Sequence, residues 1–165
     1  MQCGDLGSRL QLSLAKAGDA AELLTLQRSC WISEAQANDA FDLPPLIESL
    51  ADVRGALHKW TTWVLRAEGR LIGSVRARGE GDRWLIGRLM VSLDLQGRGL
   101  GRLLLEHAEL AAPDEVNGYE LFTGSCSADN MRRYRKAGYR PASSSSGPIP
   151  NAPPGTIVLV KQRRE

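Results

Sequence analysis

The sequence predicts a single α/β domain built on a mixed central sheet, and three observations support this. Apolar residues recur with the two-residue period of strands in some segments and with the 3.6-residue period of helices in others. A glycine-rich turn, Gln96–Gly101, stands between an apolar strand and a leucine-rich helix. The chain has 165 residues, which is enough for one domain with a sizeable core.

The N-terminal part predicts one strand followed by a helix. Leucines alternate with other residues over positions 10–14, which is typical of a half-buried strand. Asp19 with Glu22 three residues later has the pattern of a capping box that begins a helix. We expect the polar residues 33–41 to form a break after that helix.

A second helix and three antiparallel strands are predicted next. The helix begins at residues 42–45, where two prolines suit a first turn. The period then changes to two, which predicts strands over 60–67, 70–78 and 83–91. Glu68-Gly69 between the first two strands is expected to form a tight hairpin turn.

The C-terminal half predicts two helices and three short strands. The predicted elements are a helix over 101–111, a strand over 119–124, a helix capped by Asp129-Asn130 that stops at Gly138, and strands over 139–142 and 156–161. The intervening segment 143–155 is too rich in serine, proline and glycine to pack as an element. It is either a solvated loop or a flap over a substrate cleft.

Composition and charge exclude several classes of function. Residues 1–8 are expected to be a flexible leader before a single domain over 9–165, and they lack the features of a signal peptide. The net charge of +2 gives no reason to expect nucleic acid as a partner. No apolar run is long enough to span a membrane, and the cysteines lack the spacing of metal ligands. We therefore predict a cytoplasmic protein without a metal.

The turn Gln96–Gly101 has the features of a phosphate-binding site. A helix that begins after glycines offers free backbone N–H groups and the positive end of its macrodipole. Arg98 and Arg102 add positive charge, and guanidinium groups suit phosphate oxygens. The stretch lacks the last glycine of a dinucleotide-binding fingerprint and the Gly-Lys-Ser/Thr end of a P-loop.

Two motifs resemble the signatures of the GNAT family of N-acetyltransferases. Gln96–Gly101 has the form Gln-x-x-Gly-x-Gly, which wraps the CoA pyrophosphate in that family. Asn130–Tyr139 is similar to Asn-x-x-x-Tyr-x-x-x-Gly-Phe, with Tyr139 in place of phenylalanine. The predicted order of elements also resembles that family over about residues 9–161. The resemblance implies a GNAT-like acyl-CoA acyltransferase fold.

The resemblance further implies that acetyl-CoA, or CoA, is the co-substrate and that no metal is needed. In the family the asparagine of the second motif hydrogen-bonds the pantetheine arm, and backbone groups at the end of the central strand contact the thioester. The residues implied in cofactor binding are Leu89, Met90, Val91, Gln96, Gly97, Arg98, Gly99, Leu100, Gly101, Arg102, Asn130 and Tyr134.

Candidates for catalysis follow from the chemistry of acyl transfer. The family places the tyrosine of the second motif near the thioester sulfur, so Tyr134 is the candidate general acid. The strand over 84–91 has no carboxylate that could serve as a base. Glu34 is the candidate base. A water relayed by Ser125 or by a backbone group, or one of the two histidines, His58 and His107, remains an alternative.

We therefore predict an acyl-CoA-dependent N-acyltransferase. It is expected to transfer acetyl to a primary amine of a small molecule or peptide by direct attack in a ternary complex. The alternative is a non-catalytic acyl-CoA-binding regulatory module of the same fold. The sequence leaves open the acceptor, the length of the acyl group, and whether the protein is a monomer or a homodimer.

Overall fold

The computed structural model describes residues 9–143 and 154–163. The strands within those ranges are β1 (Leu10–Leu14), β2 (Thr61–Ala67), β3 (Arg70–Glu80), β4 (Arg83–Val91), β5 (Gly118–Gly124), β6 (Arg140–Pro141) and β7 (Thr156–Gln162). The helices there are α1 (Ala20–Asn38), α2 (Pro44–Ile47), α3 (Leu50–Lys59), α4 (Leu100–Leu110) and α5 (Ala128–Lys136). The predicted mixed α/β fold is confirmed.

All seven strands form one sheet with the order β1-β2-β3-β4-β5-β7-β6. Neighbouring strands are antiparallel except for β4 and β5, which are parallel. These two strands pair only at their first residues, Arg83–Leu85 with Gly118–Glu120. Because β4 continues to Val91 and β5 to Gly124 without further pairing to each other, the sheet opens into a gap between the two strand ends.

A β-bulge interrupts β4 beside this gap. Ser74 pairs with Met90 and Arg76 with Gly87, so β4 has one more residue than β3 between the two pairs. Arg88 lies in the bulge with a φ of 49°. A bulge releases backbone groups from the ladder and redirects side chains, and here it does so where the strand borders the gap.

Each face of the sheet is covered by a hydrophobic layer. The core against α4 includes Ile72, Val75, Trp84, Leu104 and Leu159. The core beneath α1 and α3 includes Leu23, Leu26, Val53, Leu71 and Met90. The indole N–H of Trp84 donates to the carbonyl of Ala108 at 2.8 Å, which ties α4 to β4.

The predicted polar break after the first helix is wrong, because α1 continues to Asn38. Ala35 in this stretch is fully buried, and the Asn38 amide donates to the Glu34 carbonyl. The polar side chains of the stretch therefore contact other protein groups and do not mark a loop. The helix ends at Asn38, and the C-cap residue Asp39 that follows has a φ of 49°.

The predicted capping box of α1 is also wrong. The carboxylate of Asp19 accepts from the backbone N–H of Lys16 and from Arg66, and Glu22 also binds Arg66. These bonds attach the start of α1 to strand β2 because Arg66 belongs to that strand.

The single second helix predicted from the prolines is divided into α2 and α3. Glu48 has an extended backbone between them, and Ser49 begins α3 with a capping box to Asp52. Asn130 was predicted as a cap, but it lies inside α5, whose N-cap is Ser127. Most of the segment 143–155 lies outside the described residues, as does the leader 1–8. No helix among the described residues could span a membrane.

Candidate functional site

A cleft of about 2070 Å³ occupies the gap between β4 and β5. Its walls come from α1, the end of β4, the glycine turn, the start of α4, and α5. Eleven of the predicted cofactor-binding residues line it: Leu89, Met90, Val91, Gln96, Gly97, Gly99, Leu100, Gly101, Arg102, Asn130 and Tyr134. The topology therefore brings the two sequence motifs, which are about thirty residues apart in the chain, to one cavity.

The glycine turn presents backbone groups to this cleft. Gly97 and Gly99 have φ values of 78° and 82°, in the left-handed region that favours glycine. Gly99 is the N-cap of α4 and supplies no capping side chain. Because the first N–H groups of a helix have no partner within the helix, they remain available to an anion at this end of the cleft.

The two arginines of the turn contribute less to the cleft than the sequence predicts. Arg98 is exposed and does not line the cleft. Arg102 lines it, but its guanidinium pairs with Glu106 at 2.7 Å on the surface of α4. Among the described residues of the turn, the backbone N–H groups therefore offer more direct access to the cleft than these two guanidinium groups.

Glu34 lies at the centre of a hydrogen-bonded group that lines the same cleft. Its carboxylate accepts from the Asn130 amide at 3.1 Å, from the Gly124 backbone N–H at 3.3 Å, and from the Ser127 hydroxyl. Asn130 comes from the second motif, so the structure brings together the candidate base and the predicted pantetheine ligand. The side chain of Glu34 is only partly buried, which leaves it accessible from the cleft.

Asn38, Ser127 and Gly124 support this group and were not identified from the sequence. The Asn38 amide donates to the Ser127 hydroxyl at 3.1 Å, and its carbonyl accepts from the Cys126 N–H. A Cβ at Gly124 would lie 2.5 Å from the Asn38 amide, so a larger residue there would displace Asn38. Glu34 and Asn38 are four residues apart, so on a helix their side chains share one face. This spacing is the signal in the sequence that relates Asn38 to Glu34.

Tyr134 lies on α5, one turn after Asn130, and is half-buried. Burial, together with the nearby Glu34 carboxylate, raises the pKa of its hydroxyl to about 12. Both effects disfavour the phenolate, so the hydroxyl keeps its proton at neutral pH. Its ring makes an edge contact with Tyr139, with 6.0 Å between the ring centroids.

The structure separates the histidines from this site. His107 makes an edge contact with Trp63, with centroids 5.3 Å apart, and His58 lines a separate small pocket. Neither lines the main cleft, whereas Ser125 does. No cluster of three or more His, Cys, Asp or Glu residues that could hold a metal ion occurs in the described parts of the chain.

Comparisons with known proteins agree with this architecture. The solved structures that are similar to the chain include two N-acetyltransferases and one N-acetylglutamate synthase. The PaiA N-acetyltransferase of Thermoplasma acidophilum, in complex with coenzyme A, has a TM-score of 0.78 at 13% identity, over 93% of this chain and 99% of that one. The ribosomal-protein-S18-alanine N-acetyltransferase of Escherichia coli has a TM-score of 0.68 at 17% identity, over 93% of each chain.

The third is the N-acetylglutamate synthase of Neisseria gonorrhoeae, in complex with coenzyme A and N-acetyl-glutamate. It has a TM-score of 0.72 at 17% identity, over 94% of this chain and 35% of that one. At these identities the likeness shows a shared fold. No curated protein sequence matches the chain significantly. A family profile described as "Acetyltransferase (GNAT) domain" matches residues 58–141, half of the 165 residues. The chain therefore belongs to the GNAT family of acetyltransferases.

Proposed function

We propose that the protein is an acyl-CoA-dependent N-acyltransferase that transfers acetyl from acetyl-CoA to a primary amine by direct attack in a ternary complex. The observation that carries the proposal is the single cleft that joins the glycine turn to Glu34, Asn130 and Tyr134. One end of this cleft suits phosphates, and the other end holds groups that can move protons. Two of the structural neighbours named above are complexes with coenzyme A.

The donor would be held along β4 and the start of α4. The glycine turn and the first turn of α4 offer N–H groups to the pyrophosphate, with Arg98 and Arg102 contributing charge from the rim. Backbone groups of Leu89–Val91 extend along the gap, where β5 does not pair with them. A pantetheine arm placed in this gap would take the position of the missing strand-to-strand hydrogen bonds.

Tyr134 acts as the general acid in this proposal. The phenol is protonated at neutral pH, so it can give its proton to the sulfur as the carbon–sulfur bond breaks. A positioned acid of this kind contributes about 10²–10⁴-fold to the rate.

Glu34 acts as the general base, directly or through a water molecule. The amine must lose a proton before or during its attack on the thioester carbonyl, and a carboxylate can accept it. Three hydrogen bonds from Asn130, Gly124 and Ser127 hold the Glu34 carboxylate in position. Its remaining accessible surface faces the cleft.

A non-catalytic acyl-CoA-binding module is the second candidate. It is favoured by one observation: the Glu34 carboxylate already accepts several hydrogen bonds, and β4 carries no carboxylate of its own. Such a module would bind acetyl-CoA and transfer acetyl to no amine.

Calorimetric titration with acetyl-CoA tests the donor site. We expect micromolar binding by the intact protein and its loss in Gly99→Glu, because this change puts a strained backbone and a negative charge where phosphates would bind. The matched control is Gly69→Glu. Gly69 has a nearly identical φ of 83° but lies in the β2–β3 hairpin, outside the cleft. Retained binding in Gly99→Glu, or no binding by the intact protein, would contradict the proposal.

Release of CoA in a screen of amines then distinguishes the two candidates. Turnover with any amine supports the enzyme. Acetyl-CoA binding without turnover across the screen supports the binding module.

A further inference from the structure

Three arginines line the cleft on the face of the sheet that carries α1. Arg76 and Arg78 lie on β3, and Arg88 lies in the bulge of β4. Arg76 and Arg78 alternate with Val75 and Ala77, which are fully buried, so both arginines point to the opposite face. Arg76 is the cross-strand partner of Gly87, which places it beside Arg88. We call these three residues the arginine triplet.

The guanidinium groups of the triplet carry more hydrogen-bond donors than the described residues around them provide acceptors. Arg88 donates to Glu48 at 2.6 Å, and Arg78 pairs with Glu80 at 3.2 Å. The guanidinium of Arg76 makes no hydrogen bond or ion pair with any described residue, and its buried Nε is without a partner. Arg78 Nε and Arg88 Nη1 are likewise buried without an acceptor in the described parts of the chain. Buried donors that lack acceptors are costly and uncommon in folded proteins.

Aromatic rings hold the guanidinium groups in place. The guanidinium carbons of Arg76 and Arg78 each lie 4.5 Å from the ring centroid of Trp60. That of Arg88 lies 5.6 Å from the ring of Trp31. Contacts of this kind restrict a guanidinium without using its N–H groups, so the donors remain free for a ligand.

Burial and a neighbouring positive charge act on Arg76. Burial, and then the neighbouring charge of Arg88, lowers the pKa of Arg76 to about 10. At neutral pH Arg76 is still protonated, so a desolvated positive charge faces the cleft. The nearby Glu48 carboxylate opposes the lowering of this pKa, but its two oxygens accept hydrogen bonds from Arg88 and Gln27 and none from Arg76.

We propose that the arginine triplet binds an anionic group of the acceptor, so that the acceptor is a small amine carrying a carboxylate or a phosphate. The inference rests on the proposed function, which places the pantetheine arm that carries the acyl group along Leu89–Val91. Arg88 directly precedes that segment in the chain. One small molecule can therefore place its anionic group on Arg76 and Arg88 and its reacting nitrogen at the thioester. Guanidinium forks match both carboxylate and phosphate oxygens.

Matched pairs of amines test this preference in the intact protein. The carboxylate arm compares lysine with cadaverine and phenylalanine with phenethylamine, and the phosphate arm compares phosphoethanolamine with ethanolamine. We expect kcat/KM, followed by release of the CoA thiol, to be about 10- to 100-fold higher for the anionic member in one arm. The arm that shows the larger ratio identifies the anion.

The variant Arg76→Gln tests the residue itself. We expect the KM of the preferred anionic amine to rise about 10- to 100-fold, while the Kd for acetyl-CoA stays constant and reports that the protein is folded. The control is Arg54→Gln, which removes an exposed charge on α3 outside the cleft. Its KM should match that of the intact protein.

Equal kcat/KM for charged and neutral amines would overturn the inference and leave the proposed function intact. An unchanged KM in Arg76→Gln would do the same. Failure of the intact protein to bind acetyl-CoA would overturn the proposed function, and this inference with it.

Discussion

At the scale of single residues, the role of the Tyr134 hydroxyl can be tested by a substitution that removes only its oxygen. Tyr134→Phe should lower kcat by about 10²–10⁴-fold, because the departing sulfur loses its proton donor. The Kd for acetyl-CoA should stay within about twofold, since the ring keeps its position against Tyr139. Steady-state kinetics with the best amine, beside calorimetric titration, measure the two quantities.

Tyr139→Phe is the matched control for this change. The Tyr139 hydroxyl donates to Glu109 at 2.8 Å and does not line the cleft. Its removal should leave kcat unchanged and lower the free energy of unfolding by roughly 1 kcal/mol. Equal kcat in Tyr134→Phe and the intact protein would assign the acid to another group.

The sequence indicated the residue types of the site better than their contacts. Asn130 and Tyr134 were identified by motif, and the cleft contains both. Glu34 was predicted as the base, and its hydrogen bond to Asn130 joins residues 96 positions apart. No local pattern reports such a pairing. The arginine triplet was not predicted from the sequence, because charged residues that alternate along a strand usually face water.

At the scale of elements, Arg66 of β2 holds the first turn of α1 through Asp19 and Glu22. Burial by itself would raise the pKa of Asp19. Hydrogen bonds from the Lys16 N–H and from Arg66 outweigh this effect, so the pKa lies below the ordinary 3.8. The folded state therefore holds the proton of Asp19 less firmly than the unfolded state does. Its contribution to stability is complete above the ordinary value and is lost as the pH falls below it.

Asp19→Asn should make this contribution measurable. We expect the free energy of unfolding to fall by roughly 1–3 kcal/mol at pH 7, with the deficit shrinking as the pH falls below about 4. Urea titrations at several pH values measure it. Asp114→Asn is the control, because Asp114 is fully exposed beside Arg163 and such pairs contribute little. A deficit that is constant with pH would show that the Asp19 charge is not responsible.

Elements with a strong period were predictable, and their ends were less so. The strands and α4 follow their hydrophobic patterns closely. The last turns of α1 were not predicted because their polar side chains bind Ser127 and Gly124, partners that no helical period reveals. The bulge at Arg88 was not predicted either, since its positive φ occurs at a residue that does not favour it.

At the scale of the whole molecule, the fold leaves a gap in its own sheet. The strands β4 and β5 pair over three residues and then separate, although both belong to one seven-stranded sheet. The edges of β4 and β5 that face the gap forgo the hydrogen bonds to each other that a continuous sheet would provide. A ligand that enters the gap should therefore stabilise the folded chain as a whole.

Thermal unfolding with and without acetyl-CoA measures this stabilisation. Ligand at 100 times its Kd adds about 2.7 kcal/mol to the free energy of unfolding. For a chain of 165 residues, each kcal/mol raises Tm by about 2–4 °C, so we expect a rise of about 5–11 °C. Gly99→Glu should show no rise, whereas Gly69→Glu should show the full one. A rise of equal size in both variants would place the ligand away from the glycine turn and outside the gap between β4 and β5.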